Sequence, residues 1–325
     1  MWPIIVLFLL FVGALASLFI VMKSSQDPYH DEFHLNLNAL PGLKPGQRPT
    51  TEWLNMGFWK DTDRFPEACE ALALRLVHAS RSKEGGRVLD VGHGSGDSLL
   101  LQVSHPSVPR PSLLVGITSL PQHHKRSEAR LLRALEQSGA KDINTHLFQS
   151  DAVYIVDSRS KLGSRVDVHP LSPSSPSTFD TIVALDCAYH FHTRALFLQQ
   201  SFAKLSPGGH IALADIYFAS TTKSTPPSKT TSPLRPSYPI TFFLSTLLRV
   251  IPRENVVTKA QYIAEMERVG YVDVEIDDIT EYVFPGFVRF LSGRGGGWKV
   301  FAWMMAWLHG RGARFGIVVG TKPNS

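Results

Sequence analysis

The chain has 325 residues, of which 43% are hydrophobic and 19% are charged, a composition typical of a globular protein with room for one large α/β domain. Two cysteines, Cys69 and Cys187, are too few for a disulfide framework and indicate reduced thiols in a cytosol-facing protein. No Cys/His cluster has zinc-ligand spacing, so no metal site is expected.

The net charge of +5 is unevenly distributed along the chain. Residues 217–253 and 282–325 carry many Lys and Arg residues and no acid, so the rest of the chain is acidic. Aromatic and aliphatic residues alternate with these bases, a pattern that fits an anionic membrane surface better than nucleic acid. Ordinary solvated charge is the alternative explanation.

An uncharged apolar run of 21 residues, 2–22, precedes Lys23. Its length matches the roughly 20 residues that span a bilayer, so residues 1–23 are predicted to be a transmembrane anchor. A cleaved signal peptide is the alternative, because 14–16 resembles a cleavage site. The absence of Lys or Arg before the run, and its continuation past that site, favour the uncleaved anchor.

Residues 24–51 are predicted to be a linker, because prolines lie close to glycines and periodicity is weak. Residues 52–325 form the predicted domain, in which short apolar runs alternate with helical stretches. This alternation predicts an α/β fold with a parallel sheet covered by helices on both faces. The predicted strands are 88–91, 113–117, 145–148, 181–185, 210–214, 271–276 and 316–320; the predicted helices are 64–80, 122–138, 193–205 and 259–269.

Two stretches interrupt this alternation. Residues 157–178 and 220–238 are rich in Ser and Pro and are predicted to be mobile loops. Near the C-terminus, residues 298–308 are apolar on nearly all faces, which indicates membrane contact or a lipid-lined lid. An ordinary core helix is the alternative.

The most informative motif is VLDVGHGSGD, residues 88–97. An apolar strand leads directly into a turn with Gly92, Gly94 and Gly96, where missing Cβ atoms let a ligand approach the backbone. Nicotinamide enzymes also use such turns, but with Gly-x-Gly-x-x-Gly spacing. Asp90, two residues before the first glycine, suits a cationic ligand and would repel a pyrophosphate.

These residues resemble the first motif of class I S-adenosylmethionine-dependent methyltransferases, whose fold is a Rossmann-like seven-stranded sheet. The likeness is greatest to the small-molecule group that contains tocopherol, sterol and ubiquinone-type enzymes. Six motifs occur in the order that the family shows: NMGFW at 55–59, the glycine turn, GITS at 116–119 with Gln122, SDA at 150–152, FDTIVALDCAYHF at 179–191 and LSPGGHIALAD at 205–215.

The resemblance assigns cofactor contacts to several residues. It implies that Asp151 holds the adenine amino group and that the segment containing Trp59 closes over the cofactor. The remaining implied cofactor contacts are Asp90, Gly92, Gly94, Gly96, Thr118, Gln122 and Asp186. One departure is Thr118, which stands where many members have an acid that grips the ribose hydroxyls.

Chemistry is expected where strand 181–185 ends, because ligands of open α/β folds bind at that edge of the sheet. His190 is the candidate proton acceptor and Tyr189 a residue that orients the methyl acceptor. A structural role for His190 is the alternative.

Together these features predict a methyltransferase that acts on a hydrophobic small molecule or lipid. It is expected at a membrane through a single-pass anchor, with its catalytic domain in the cytosol, where the cofactor is made. Two alternatives are a nicotinamide-dependent oxidoreductase and a non-catalytic protein that binds the cofactor.

Overall fold

The structure is a computed structural model that describes residues 32–44, 47–138, 142–155, 168–220 and 251–324. The predicted anchor at 2–22 lies outside the described residues, as do 156–167 and 221–238 of the two predicted loops. The chain divides into two compact units, Met1–Glu52 and Trp53–Ser325. In the first, a 3-10 helix at Glu32–Asn38 ends where the Thr51 hydroxyl donates to Asn38 Oδ1 at 3.1 Å.

The second unit contains the seven-stranded sheet that the alternating pattern predicts. The strand order is β3-β2-β1-β4-β5-β7-β6. The strands are β1 (Arg87–Val91), β2 (Leu113–Thr118), β3 (Asn144–Gln149), β4 (Phe179–Leu185), β5 (Leu205–Phe218), β6 (Val272–Asp278) and β7 (Ala313–Thr321).

The prediction of a parallel sheet is confirmed for β1 to β5 and is wrong at β7, which pairs antiparallel with both β5 and β6. The sheet is therefore mixed. The apolar run of β7 is buried like those of its neighbours, and burial alone does not encode the direction of a strand.

Seven α-helices are described in this unit. They are α1 (Phe65–Ala79), α2 (Asp97–Ser104), α3 (Pro121–Ser138), α4 (Arg194–Lys204), α5 (Lys259–Val269), α6 (Thr280–Ser292) and α7 (Gly296–Gly310). The sequence pattern does not predict α6, because Pro285 lies inside it and usually marks a helix end. Pro285 is exposed, whereas Val283, Phe284 and Phe287 are buried.

Helix α7 buries one stripe, formed by Ala302, Met305 and Leu308 at intervals of three residues. The face opposite this stripe stays in solvent and includes Val300 and Trp303, which are 48% and 55% exposed. Within the described ranges, no helix combines the length and the apolar character needed to cross a bilayer.

A buried ion pair fixes the far end of β5. Arg194, which begins α4 and is fully buried, donates to Asp215 Oδ2 at 2.9 Å and to the Ile216 carbonyl at 3.2 Å. The Tyr262 hydroxyl of α5 donates to the same carboxylate oxygen at 2.8 Å. The cluster joins α4, α5 and β5, and removing one partner would leave a buried charge and cost about 3–5 kcal/mol.

Parallel pairing then places the functional ends of the strands at one edge. Asp90 of β1 lies opposite Gly116 of β2 and Val183 of β4. Thr118 lies opposite Gln149 of β3, two residues before Asp151. The residues that follow β1 to β4 therefore gather at one edge of the sheet, where doubly wound folds bind ligands.

Candidate active site at the carboxyl edge of the sheet

The glycine turn brings three segments of the chain into close contact. Gly92, Gly94 and Gly96 all have positive φ, at 78°, 54° and 97°. A Cβ on Gly92 would lie 2.5 Å from Cys187 Sγ, and one on Gly94 would lie 2.7 Å from Leu54 Cδ1. The turn therefore needs glycine both for its backbone conformation and for its packing.

Arg130 of α3 clamps the turn from the side. Its guanidinium donates to both oxygens of Asp97 at 2.6 and 2.8 Å, and also to the Ser95 carbonyl at 2.8 Å. The pair is buried and bidentate, which is the strong geometry for an arginine and a carboxylate. The sequence alone does not reveal this clamp, because Asp97 and Arg130 are 33 residues apart.

Asp90 is fully buried at the end of β1. Its Oδ2 accepts a hydrogen bond from Gln102 Nε2 at 2.8 Å, whereas its Oδ1 finds no partner among the described residues. Burial raises the pKa of Asp90 to about 7, although the hydrogen bond from Gln102 opposes the shift. A buried carboxylate in this state gains most from a nearby cation.

Asp186, immediately after β4, is the second such carboxylate. It adopts a positive φ of 56°, and its Oδ2 accepts the Met56 N–H at 2.6 Å. Its Oδ1 is buried and has no hydrogen-bond partner within the described part of the chain. Burial raises the pKa of Asp186 to about 8, against hydrogen bonds from Met56 and the Tyr189 hydroxyl.

Residues 53–59, the lead-in segment that precedes α1, contact both the glycine turn and Asp186. Leu54 packs on the glycine turn, and Met56 binds Asp186. Trp59 is buried, donates its indole N–H to the Met56 carbonyl at 2.7 Å, and packs against Gly286 of α6 and the ring of Phe290. These contacts fix the shape of the segment, and the cofactor contact implied for Trp59 stays a prediction.

The other predicted cofactor residues lie at the ends of β2 and β3. Thr118 is the last residue of β2 and is buried, whereas Gln122 is exposed in the first turn of α3. Asp151 is exposed after β3, and its carboxylate accepts the Val153 N–H at 3.1 Å. The sheet thus brings these side chains to the same edge as Asp90 and Asp186.

Tyr189 and His190 lie on a 3-10 turn, Ala188–His190, that follows Asp186. Their ring centroids are 4.1 Å apart. Asn255, which is buried, supports this turn from below by donating to the carbonyls of Tyr189 at 3.0 Å and Phe191 at 2.8 Å. Nothing in the sequence points to Asn255, since it is separated from the turn by more than 60 residues.

Cys187 is not activated as a nucleophile. Its thiol donates to the Val91 carbonyl at 3.3 Å, and burial raises its pKa well above the usual value. A neutral, packed thiol is a poor nucleophile, so Cys187 is not a candidate for the reacting group.

Comparisons with known proteins identify the family. A family model described as a methyltransferase domain matches residues 60–273. The chain belongs to the methyltransferase family. It is 29% identical over 246 residues to erythromycin 3''-O-methyltransferase of Saccharopolyspora erythraea, covering 74% of this chain and 69% of that protein. The 27-O-demethylrifamycin SV methyltransferase of Amycolatopsis mediterranei is 25% identical, over 50% of this chain and 51% of its own.

Solved structures show the same fold. The cyclopropane synthase MmaA2 from Mycobacterium tuberculosis aligns with a TM-score of 0.59 and 14% identity, over 90% of this chain and 95% of its own. The [4+2]-cyclase SpnF aligns with a TM-score of 0.56 and 15% identity, over 84% of this chain and 89% of its own.

The cofactor of this methyltransferase is S-adenosylmethionine, as predicted. The residues present fit it. Asp90 and Asp186 each bring one buried, unsatisfied carboxylate oxygen to the edge, and the cofactor carries an ammonium and a sulfonium. A pyrophosphate offers no positive charge and would oppose ionisation of these carboxyl groups, which argues against the nicotinamide alternative.

Asp186→Asn is expected to change the pH dependence of stability without cofactor. The folded-state pKa of Asp186, about 8, lies above its unfolded value near 3.8, so the folded state binds the extra proton. The contribution of Asp186 to the free energy of unfolding is then fully present below about pH 4 and is lost as pH rises through 8. Between pH 5 and 9, the melting temperature of the asparagine variant should fall less than that of the parent protein, as measured by differential scanning fluorimetry.

The matched control is Asp151→Asn, because Asp151 is exposed at the same edge. Its pH profile should follow that of the parent protein. Equal profiles for Asp186→Asn and the parent would contradict a carboxyl group that is protonated in the folded state.

Proposed function

We propose that this methyltransferase methylates a hydroxyl group of a hydrophobic small molecule or lipid at a membrane. The observation that carries the proposal is the convergence of two buried carboxylates with the Tyr189–His190 pair at one edge of the sheet. The carboxylates suit the cation of the cofactor, and the pair suits an acceptor that must lose a proton.

The relatives favour oxygen as the methylated atom. Both carry names that describe methyl transfer to antibiotics, one to the 3''-oxygen of erythromycin and the other to 27-O-demethylrifamycin SV. An alcohol is a weak nucleophile, so its methylation benefits from a base that removes its proton as the new bond forms.

In this proposal the cofactor, when bound, supplies a methyl group on a sulfonium, which leaves as a neutral thioether. Asp90 and Asp186 hold the cationic end, and the turn supported by Asn255 fixes the acceptor's approach. His190 receives the hydroxyl proton, and Tyr189, hydrogen-bonded to Asp186, orients the acceptor oxygen. Most of the rate acceleration comes from alignment of the acceptor oxygen, because the reaction is an in-line displacement.

The test is methyl transfer from radiolabelled S-adenosylmethionine to 3''-O-demethyl erythromycin, 27-O-demethylrifamycin SV and extracted membrane lipids. His190→Gln should lower kcat by about 100- to 10,000-fold while leaving S-adenosylhomocysteine affinity unchanged. The matched control is His78→Gln, which changes an exposed histidine of α1.

Retention of full kcat in His190→Gln would contradict the assigned base. Transfer only to nitrogen acceptors would contradict the hydroxyl assignment. Cofactor binding with no transfer to any acceptor would favour the non-catalytic alternative.

Membrane association is the second part of the proposal. Two features support it: the 21-residue apolar run at 2–22, as a single-pass anchor, and the outer face of α7. That face carries Val300, Trp303 and Trp307 beside Lys299, and the Arg311 guanidinium lies over the Trp307 ring at 5.3 Å. Tryptophan with flanking bases and no acid is typical of helices that lie in an anionic membrane surface. The catalytic domain is then cytosolic.

Trp303→Cys in the full chain, labelled with an environment-sensitive fluorophore, tests whether α7 contacts lipid. Emission should shift to the blue and be quenched by nitroxide lipids in phosphatidylserine-containing vesicles, and less so in pure phosphatidylcholine. Charge reversal by Lys299→Glu with Arg311→Glu should weaken both effects, as should high salt.

Gln261→Cys, at an exposed position on α5, is the matched control, and the unsubstituted chain gives the labelling background of Cys69 and Cys187. Emission that is the same with and without vesicles would contradict contact between α7 and lipid, even if the anchor holds the chain at the membrane.

A further inference from the structure

His93 stands between the first two glycines of the turn and is only 6% exposed. Its Nδ1 lies 3.1 Å from the Gly94 carbonyl oxygen, which can only accept a hydrogen bond. Nδ1 therefore carries the proton, and Nε2 of the neutral ring is an acceptor. This Nε2 is buried and finds no partner among the described residues, which is costly unless a ligand or water donates to it.

The position of this acceptor is set by Gly116 of β2. A Cβ on Gly116 would lie 3.0 Å from His93 Nε2 and 2.6 Å from Leu147 Cδ2, so the imidazole occupies the space of the missing side chain. Gly116 and Thr118 face the same side of β2, about 7 Å apart. The unpartnered His93 Nε2 therefore lies beside the residue that precedes Thr118 on the same face of β2, near the ligand-binding edge of the sheet.

Thr118 is the position where the chain departs from the family pattern. The resemblance implies that an acid at this position accepts hydrogen bonds from the ribose hydroxyls of the cofactor. Threonine has one hydroxyl and offers a weaker acceptor. A vicinal diol with a hydrogen bond of about 2.8 Å at each end can bridge two groups about 7 Å apart.

We propose that His93 and Thr118 together replace the missing acid, with His93 Nε2 accepting a hydrogen bond from one ribose hydroxyl of S-adenosylmethionine and Thr118 binding the other. The proposal rests on the family's cofactor and is independent of the methyl acceptor. It gives the residue between Gly92 and Gly94 a side-chain role, whereas the glycines themselves act through the backbone.

Other features of the site agree with this role. Burial lowers the pKa of His93 to about 3, and His124 and His123 lower it further, so the ring stays a neutral acceptor at physiological pH. The described residues contain no group of three or more His, Cys, Asp or Glu side chains arranged to hold a metal ion.

The experiment is calorimetric titration of the full chain, in detergent, with S-adenosylhomocysteine and with its 2′-deoxy and 3′-deoxy analogues. The parent protein should bind each analogue about tenfold or more weakly than the complete nucleoside. His93→Phe retains an aromatic ring but removes the acceptor. His93→Phe should bind one deoxy analogue as tightly as S-adenosylhomocysteine and should still bind the other analogue more weakly. Thr118→Ala should show the reverse pattern, because it loses the contact with the other hydroxyl.

Two further variants keep the test decisive. His93→Asn retains a donor toward the Gly94 carbonyl and removes Nε2, so it replaces His93→Phe if the phenylalanine variant does not fold. His78→Phe, at an exposed histidine of α1, is the control and should discriminate as the parent does. Unchanged discrimination in folded His93 variants would overturn the proposal, whereas failure of the parent to bind S-adenosylhomocysteine would instead contradict the cofactor.

Discussion

The burial of two carboxylates at one sheet edge is the constraint on which the site depends. Asp90 and Asp186 lie where β1 and β4 end, and burial raises both pKa values toward neutrality. Each carboxylate has one oxygen satisfied by the chain, through Gln102 or Met56, and one that finds no partner among the described residues. A cationic ligand relieves this cost, so the fold is poised to bind S-adenosylmethionine.

The surrounding structure holds this edge in position. Arg130 clamps the glycine turn, and the buried Arg194–Asp215 pair secures β5 and the start of α4. Asn255 connects these supports to the turn that carries His190, because it also accepts the Arg194 N–H at 3.0 Å. Asp186 is shared by the two halves of the site. It accepts one hydrogen bond from Met56 of the lead-in segment and another from the Tyr189 hydroxyl. In the proposed function, binding of the cofactor is therefore coupled to the position of the turn that carries Tyr189 and His190.

Much of this fold could be predicted because its strands are short apolar runs that end in polar residues. The same pattern located Asp90, Thr118, Asp151 and Asp186, since parallel strands place their carboxyl ends together. Direction was not predictable for β7, because an antiparallel strand buried on both faces has the same apolar pattern. Helix α6 was missed because Pro285 resembles a helix end.

The residues that support the site from a distance could not be predicted from the sequence for a different reason. Asn255, Arg130 and Arg194 act through partners that are distant in the sequence, and nothing local to them signals burial. Single Arg or Asn residues outside a motif are usually exposed. His93 was visible within the glycine motif, but its unpartnered nitrogen could be recognised only once Gly116 was placed beside it.

The most direct test of the central claim is calorimetric titration of the full chain and its Asp90→Asn and Asp186→Asn variants with S-adenosylmethionine, alongside NADH. Because ligand binding should ionise the two carboxyl groups, the parent should release protons on binding near pH 7, seen as a dependence of the heat on the buffer. Each variant should bind more weakly and release fewer protons, and NADH should not bind. Binding that is equally tight in the variants, without proton release, would contradict the account.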